Sequence, residues 1–473
     1  MPNQKLSKET EFVFFQKSTY KGHNMRLSPL SAIACLLPSA AFAINVAVVD
    51  SGTFFNHDSL RSHTWVNPNE IVENMVDDDG NGKVDDINGW NFAENLPKVF
   101  YPEHISKFDD RIFQVFRMLA KIRSKSVTDA DKAWWQQNVQ DLPKTEKEHL
   151  FQKLNAYGQY AHSTHCSGII ASGSQESQIM SARIFPDTQV PESLRYTEGL
   201  VYETFARVAN IQFTDVAGYL NATQMPVANF SIGIPMSEIA KKAMALFGNK
   251  KPGSEQIAKE SRRAYEAFER QGKLWMSSAP NTLFVIAAAN DGSDNAVLPI
   301  FPANVQAPNA ITVAATDGYA SLADFSNWDI NTVHVAAPGV NIVSTVPGPT
   351  AKEFLPMSGT SMAAPFVSMV ATSMKAINPA LSPAALRALL IATVDKKSWL
   401  KNKVASSGIV NKERALRAAT LALTMSPDSA IAQARSEVGD MPELASELES
   451  FSSEESFTSP TREMTSWAKK LAF

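Results

Sequence analysis

Three short segments of the 473-residue chain carry side chains whose chemistry is complementary. "VAVVDSG" ends a β-branched run on Asp50, "QYAHSTHCSGIIA" holds His162 and His165, and "SGTSMAAPFVSMVA" opens an apolar helical pattern with Ser361 near its start. A hydroxyl becomes an effective nucleophile when a base takes its proton, and an imidazole serves as that base when a carboxylate orients it. A helix N-terminus adds unpaired N–H groups and partial positive charge, which favour an anion forming beside Ser361. The same Ser, Thr and Gly residues also make an ordinary helix cap, and Ala-Ala-Pro suits any first turn. The chain order Asp, His, Ser is one in which acyl-transfer triads occur.

A second pattern is acidic. In "DDDGNGKVDDIN", Asp77, Asp79, Asn81, Lys83 and Asp85 fall at alternate positions of a calcium loop, with Gly82 at the tight turn and Lys83 where a main-chain carbonyl would serve. The closing glutamate is absent and Asn88 stands in its place. Acidic Gly-Asn loops also occur as plain turns, so the spacing leaves both readings open.

These groups need elements to hold them. "INVAVVD", "VANFSIG", "TLFVIAAANDG", "AITVAATD" and "TVHVAAPG" are short apolar runs closed by small or polar residues, with helical patterns between several of them. That alternation predicts an α/β fold with a mainly parallel sheet, whose sites gather at the carboxyl ends of the strands. His162 is expected in the first turn of a buried helix. Two helical inserts interrupt the rhythm, at about 98–157 and 236–271. The first has Ile112, Val115, Phe116, Leu119 and Ile122 at helical spacing, then a cap at Thr128 and Asp131. Residues 425–473 turn Ser-, Glu- and Asp-rich and read as an acidic, flexible tail after a domain spanning 44–424.

Composition excludes several classes. With 44% hydrophobic and 19% charged residues, neither wholesale disorder nor a multi-span membrane protein is indicated. Forty-four basic against 48 acidic residues, net −4, give no field for nucleic acid. "MRLSPLSAIACLLPSAAFA", residues 25–43, has a basic start, an apolar centre and an Ala-Phe-Ala end, the layout of a secretory signal with a long polar region before it. The expectation is a secreted protein, extracellular or periplasmic, without a membrane span and monomeric. Cleavage would remove Cys35 and leave Cys166 as the only cysteine, so no internal disulfide is expected.

Together, "VAVVDSG", "HSTHCSGIIA" and "GTSMAAPFVSMVA" resemble the subtilisin-like serine peptidases, peptidase family S8, from about Asn45 to Ala419. The resemblance implies a three-layer subtilisin-like fold and a serine endopeptidase. By position it implies that Asp50 orients the imidazole, His162 acts as base and then acid, and Ser361 attacks the scissile carbonyl. It further implies that the Asn290 amide of "AAANDG", otherwise a turn residue, joins the oxyanion hole. Ser231, Ile232 and Gly233 of "NFSIG", otherwise a core strand, would pair with extended protein or peptide substrate. Acidic loops accompany the catalytic aspartate in many secreted subtilases, which favours structural calcium.

Three departures from the family pattern bear on the site. Ser163 and Ala289 replace family glycines. If position 289 needs positive φ, alanine is strained there, and its methyl narrows the primary pocket toward small or medium residues. Cys166 resembles the cysteine of the proteinase K-like branch and is expected to be a buried small hydrophobe, with His165 structural. Only a residue or two separate Ala43 from the first strand, so no inhibitory propeptide is expected, and the first insert is expected to rim the cleft. A transpeptidase and a catalytically silent binding module on the same fold are the competing expectations.

Overall fold

Strands that read as unbroken apolar runs belong in a parallel sheet covered on both faces, because neither side of such a strand meets water. The computed structural model, which describes residues 43–186, 202–246 and 249–441, has such a sheet. Its strands lie in the order Asp395–Lys396, Gly408–Ile409, Val335–Pro338, Ala310–Asp317, Leu283–Ala287, Val227–Phe230, Ile44–Asp50, Ser177–Arg183 and Gly89–Asn91. All neighbours are parallel except Asp395–Lys396, which runs antiparallel to Gly408–Ile409, and a short tenth strand, Ser321–Leu322, which runs antiparallel to the end of Ala310–Asp317. Ser177–Arg183 lies on one side of Ile44–Asp50, and the chain then reverses to add Val227–Phe230 on the other side. The carboxyl end of Ile44–Asp50 therefore lies at the switch point, where open α/β sheets form their crevice.

Alternate side chains of each strand enter separate cores, making three layers. Val46, Val48, Val227, Val285 and Val313 face Lys144–Gly173 and Thr360–Ile377. Ala47, Val49, Phe230, Phe284 and Ile286 face Tyr202–Ala222 and Ser254–Ser278. Thr360–Ile377 is buried from Thr360 to Met374 except at Phe366, as an all-round apolar helix must be. It aims its N-terminus at the strands' carboxyl edge.

The first insert is part of the core. Asp109 caps the helix Asp110–Arg123, and Thr128 with Asp131 forms the capping box of Asp129–Trp135. Ile112, Phe113, Val115, Phe116, Met118 and Leu119 are buried, and the rings of Phe108, Phe113 and Phe116 stand 5.0, 5.1 and 5.7 Å from that of Tyr157. The expectation that His162 sits in the first turn is corrected. Its helix starts at Lys144, inside the insert, because Leu150, Leu154 and Tyr157 supply a buried face at helical spacing and no proline intervenes.

The boundary at 424 is also corrected. Ser426 caps a further helix, Pro427–Glu437, that buries Ala430 and Ala434 against the same core. Arg414, 2% exposed, ties down the end of that helix through the Val438 carbonyl (3.0 Å) and the Asp440 carboxylate (2.5 Å), while contacting Asp395. A buried guanidinium needs such partners. The expected signal, Cys35 and the tail from 442 lie outside the described residues.

Candidate active site

Asp50, the last residue of its strand, is 1% exposed and both its oxygens reach His162 Nδ1, at 2.8 and 2.9 Å. The Ser51 N–H donates to Asp50 Oδ1 at 2.7 Å, and the Ser163 N–H reaches Ser51 Oγ at 3.3 Å. The turn after Asp50 requires glycine. Gly52 has φ +99°, and a Cβ there would lie 2.0 Å from the Val99 carbonyl oxygen. The hydroxyl introduced by Ser163 is accommodated, bonding to Thr53 Oγ1 at 2.9 Å, which also meets Ser167 Oγ at 2.9 Å. Neighbouring His165 is fully buried, its Nε2 donating to the Leu355 carbonyl at 2.9 Å, and burial lowers its pKa to about 3. It is a neutral structural residue.

Ser361, 2% exposed, sits in the first turn of Thr360–Ile377, and its hydroxyl donates to the Ser231 carbonyl at 3.3 Å. Its own carbonyl accepts from Ser231 Oγ at 2.9 Å and from Cys166 Sγ at 3.3 Å. Burial pushes the Cys166 thiol well up, so the sulfur is a packing group with a weak donor. Ser231, Ile232 and Gly233 follow Val227–Phe230 at the sheet's carboxyl edge, with Asn229 Nδ2 holding Ser231 Oγ at 2.9 Å.

Asn290 follows the next strand. Its Oδ1 accepts from the Thr360 N–H at 2.8 Å and from Thr360 Oγ1 at 3.0 Å, which fixes the direction of its Nδ2 donor. Ala289 does adopt positive φ, +85°, held by its N–H on Thr360 Oγ1 (3.1 Å) and by the Asn327 N–H on its carbonyl (2.9 Å). Fully buried Asn327 also accepts from the Asp291 N–H at 2.7 Å and donates to Asn295 Oδ1 at 2.9 Å. Thr360 and Asn327 were not singled out from sequence. The first lies within the quoted serine motif, whereas the second has no local signal in "FSNWD".

At the acidic loop the structure changes the set of groups. Asp77 and Asp79 come together with Glu70, a carboxylate oxygen from each lying within 4.8 Å of the others. Asn81 sits among them, its N–H bonded to Asp77 and Asp79 at 3.1 and 3.0 Å, and its Oδ1 buried without a hydrogen-bond partner. Asp85 lies outside that group of three, and its oxygens accept from the Asn74 and Met75 N–H groups at 3.1 and 3.0 Å, closing a neighbouring turn. The Lys83 side chain pairs with Asp215 at 2.8 Å, and Asn88 donates to the Trp65 carbonyl at 2.8 Å. Glu70, upstream of the loop, is the third carboxylate of the group; its Oε1 accepts from the Asp78 and Asp79 N–H groups at 2.9 and 3.2 Å and its Oε2 from the Asp85 N–H at 3.1 Å.

The chain matches the subtilase family over residues 43–413. It is 35% identical over 144 residues to the extracellular basic protease of Dichelobacter nodosus, covering 29% of this chain and 23% of that protein. It is 34% identical over 141 residues to subtilisin BL of Lederbergia lenta, covering 30% and 48%. The matched segments thus span less than half of either relative. A solved cold adapted subtilisin-like serine proteinase aligns with 78% of this chain and 88% of its own at 19% identity, TM-score 0.40. With the family's match extending over most of its length, the chain belongs to the subtilases.

Proposed function

We propose that the protein is a serine endopeptidase that hydrolyses peptide bonds in extended segments of protein or peptide. The observation that carries the reading is the two-oxygen contact of Asp50 with His162 Nδ1, beside a serine in the first turn of a buried helix. With Nδ1–H held by Asp50, the Nε2 lone pair takes the Ser361 proton as Oγ attacks the carbonyl. The tetrahedral oxyanion is met by the Asn290 amide and the Ser361 N–H, and the imidazolium then protonates the leaving amine. Water attacks the acyl-enzyme with His162 again as base. Ser231, Ile232 and Gly233 offer main-chain groups to an extended substrate, the mode called strand addition.

Structural calcium belongs to the same proposal. Clustered carboxylates repel one another unless a cation or protons intervene, and oxygen ligands are what a hard cation takes. Glu70, Asp77, Asp79 and the partnerless Asn81 Oδ1 fit such an ion, with Lys83 able to serve only through its carbonyl. Secretion rests on the signal-like 25–43 segment and on relatives named extracellular proteases. No helix of the described residues is long and apolar enough to cross a membrane. A monomer is proposed.

The test is labelling of the purified chain with a fluorophosphonate, followed by peptide mass spectrometry. An adduct on Ser361, absent in Ser361→Ala and formed far more slowly in Asp50→Asn, is expected. A folded, calcium-loaded protein that forms no adduct and cleaves no peptide would establish the silent binding module instead.

A further inference from the structure

Strands Val227–Phe230 and Leu283–Ala287 are parallel neighbours, so Ser231–Gly233 and Ala288–Asn290 leave the sheet side by side. On the endopeptidase reading, on which this inference rests, the attacked carbonyl lies at Asn290 and the substrate runs along Ser231–Gly233. The side chain before the cleaved bond must then enter the space between the two segments. What already occupies that space decides what can be cleaved.

The occupant is Ile300. An ideal Cβ on Gly233 would lie 2.9 Å from Ile300 Cγ2 and 3.7 Å from Ala289 Cβ. Glycine at 233 is thus the residue that lets the isoleucine methyl come this close. Ile300 is 2% exposed, and its strand, Ile300–Phe301, pairs antiparallel with Ile234–Pro235, directly after Gly233. Its main chain is held on both sides by Asn304, whose Oδ1 accepts the Ile300 N–H at 2.9 Å and whose N–H donates to the Ile300 carbonyl at 2.9 Å. Asn304 Nδ2 continues to the Asn295 carbonyl (2.9 Å), and Asn295 Nδ2 to the Ala288 carbonyl (3.0 Å). One polar chain therefore ties the isoleucine to the segment bearing Asn290. A β-branched side chain on a clamped backbone has little rotamer freedom with which to withdraw.

We infer that Ile300, aided by the Ala289 methyl, is the specificity-determining residue, and that it restricts cleavage to bonds after Gly, Ala or Ser. This goes further than a narrowed pocket. Side chains beyond a methyl or hydroxymethyl meet the isoleucine rather than free volume. One methylene changes discrimination by roughly 10- to 200-fold, so a leucine or phenylalanine should be rejected by at least about 10²-fold relative to alanine.

The experiment is kcat/KM on peptides differing only in the residue before the scissile bond (Gly, Ala, Ser, Val, Leu, Phe), normalised to the fraction of protein labelled on Ser361. The expected wild-type order is Ala, Gly and Ser far above Leu and Phe. Ile300→Ala should raise Leu or Phe relative to Ala by more than about tenfold. Ile300→Val, which keeps the packing if the alanine variant fails to fold, should move Val upward severalfold. A wild-type preference for Leu or Phe, or profiles unchanged in folded Ile300 variants, would overturn the inference while leaving the peptidase reading intact. Absence of any Ser361 adduct and of any cleavage would remove the peptidase reading, and this one with it.

Discussion

Replacing Thr360 by valine keeps the shape of a fully buried side chain and deletes one oxygen. That oxygen accepts from the Ala289 N–H at 3.1 Å and meets Asn290 Oδ1 at 3.0 Å. Leaving a donor without its acceptor costs about 1–3 kcal/mol, and Ala289 keeps its strained φ of +85° with only the Asn327 tie remaining. Stability should therefore fall by about 1–3 kcal/mol, read as a lower denaturation midpoint at unchanged slope. Catalysis should fall less than on deleting the amide outright, because the Thr360 N–H still holds Asn290 Oδ1 at 2.8 Å. Losing a side-chain donor from an oxyanion hole costs about 10²- to 10³-fold. A donor that stays in place but loses one of two anchors should cost on the order of tenfold, in kcat and kcat/KM alike with KM little moved. Steady-state kinetics on an alanine-containing peptide, beside Asn290→Ala, make the comparison. A kcat within about twofold of wild type, or a loss as large as that of Asn290→Ala, would refute the account of Thr360 as the anchor.

Glu70→Gln should abolish the rise in melting temperature that calcium gives the wild type, which at a hundredfold excess over Kd corresponds to about 2.7 kcal/mol; an unchanged rise would place any ion elsewhere. Burial lowers the pKa of both His165 and His334 to about 3 from an unfolded value of 6.5. The unfolded chain therefore takes up protons first as pH falls. Stability present above pH 6.5 should be lost between about 6.5 and 3, by about 1.4 kcal/mol per pH unit for each histidine. Denaturant unfolding of a Ser361→Ala protein from pH 7 to 4 measures that slope, and a flat profile would contradict it. Phe116→Ala should destabilise by about 3–5 kcal/mol, since the insert is core; a loss below about 1 kcal/mol in thermal or denaturant unfolding would return it to the periphery.

Much of this architecture was legible because burial on both faces of a strand leaves a simple mark, an unbroken apolar run ending in small polar residues. Asp50 and Asn290 stand where such runs end, and Ser361 where an all-round apolar helix begins. The start of the His162 helix was not legible, since polar residues between Lys144 and Tyr157 hide a buried face only three side chains wide. Nor was the helix Pro427–Glu437, whose core contact is two buried alanines and a half-buried Ile431 set among polar residues. Lys83 and Asp85 fitted the loop spacing, but spacing cannot say which oxygens turn inward, and Glu70 lies upstream of the pattern altogether. Asn327 and Ile300 act through partners far along the chain, where a local pattern holds no information.

The carbonyl oxygen of Ser361 accepts from side chains 130 and 195 residues earlier in the sequence. This single acceptor joins the helix carrying His162, the segment after Val227–Phe230 and the first turn of Thr360–Ile377. Contacts of such separation form late, after the loops between them have closed. A chain emerging from synthesis therefore carries its carboxylate and imidazole long before the serine can meet them. The first turn of Thr360–Ile377 is therefore fixed only when both earlier segments have docked against it.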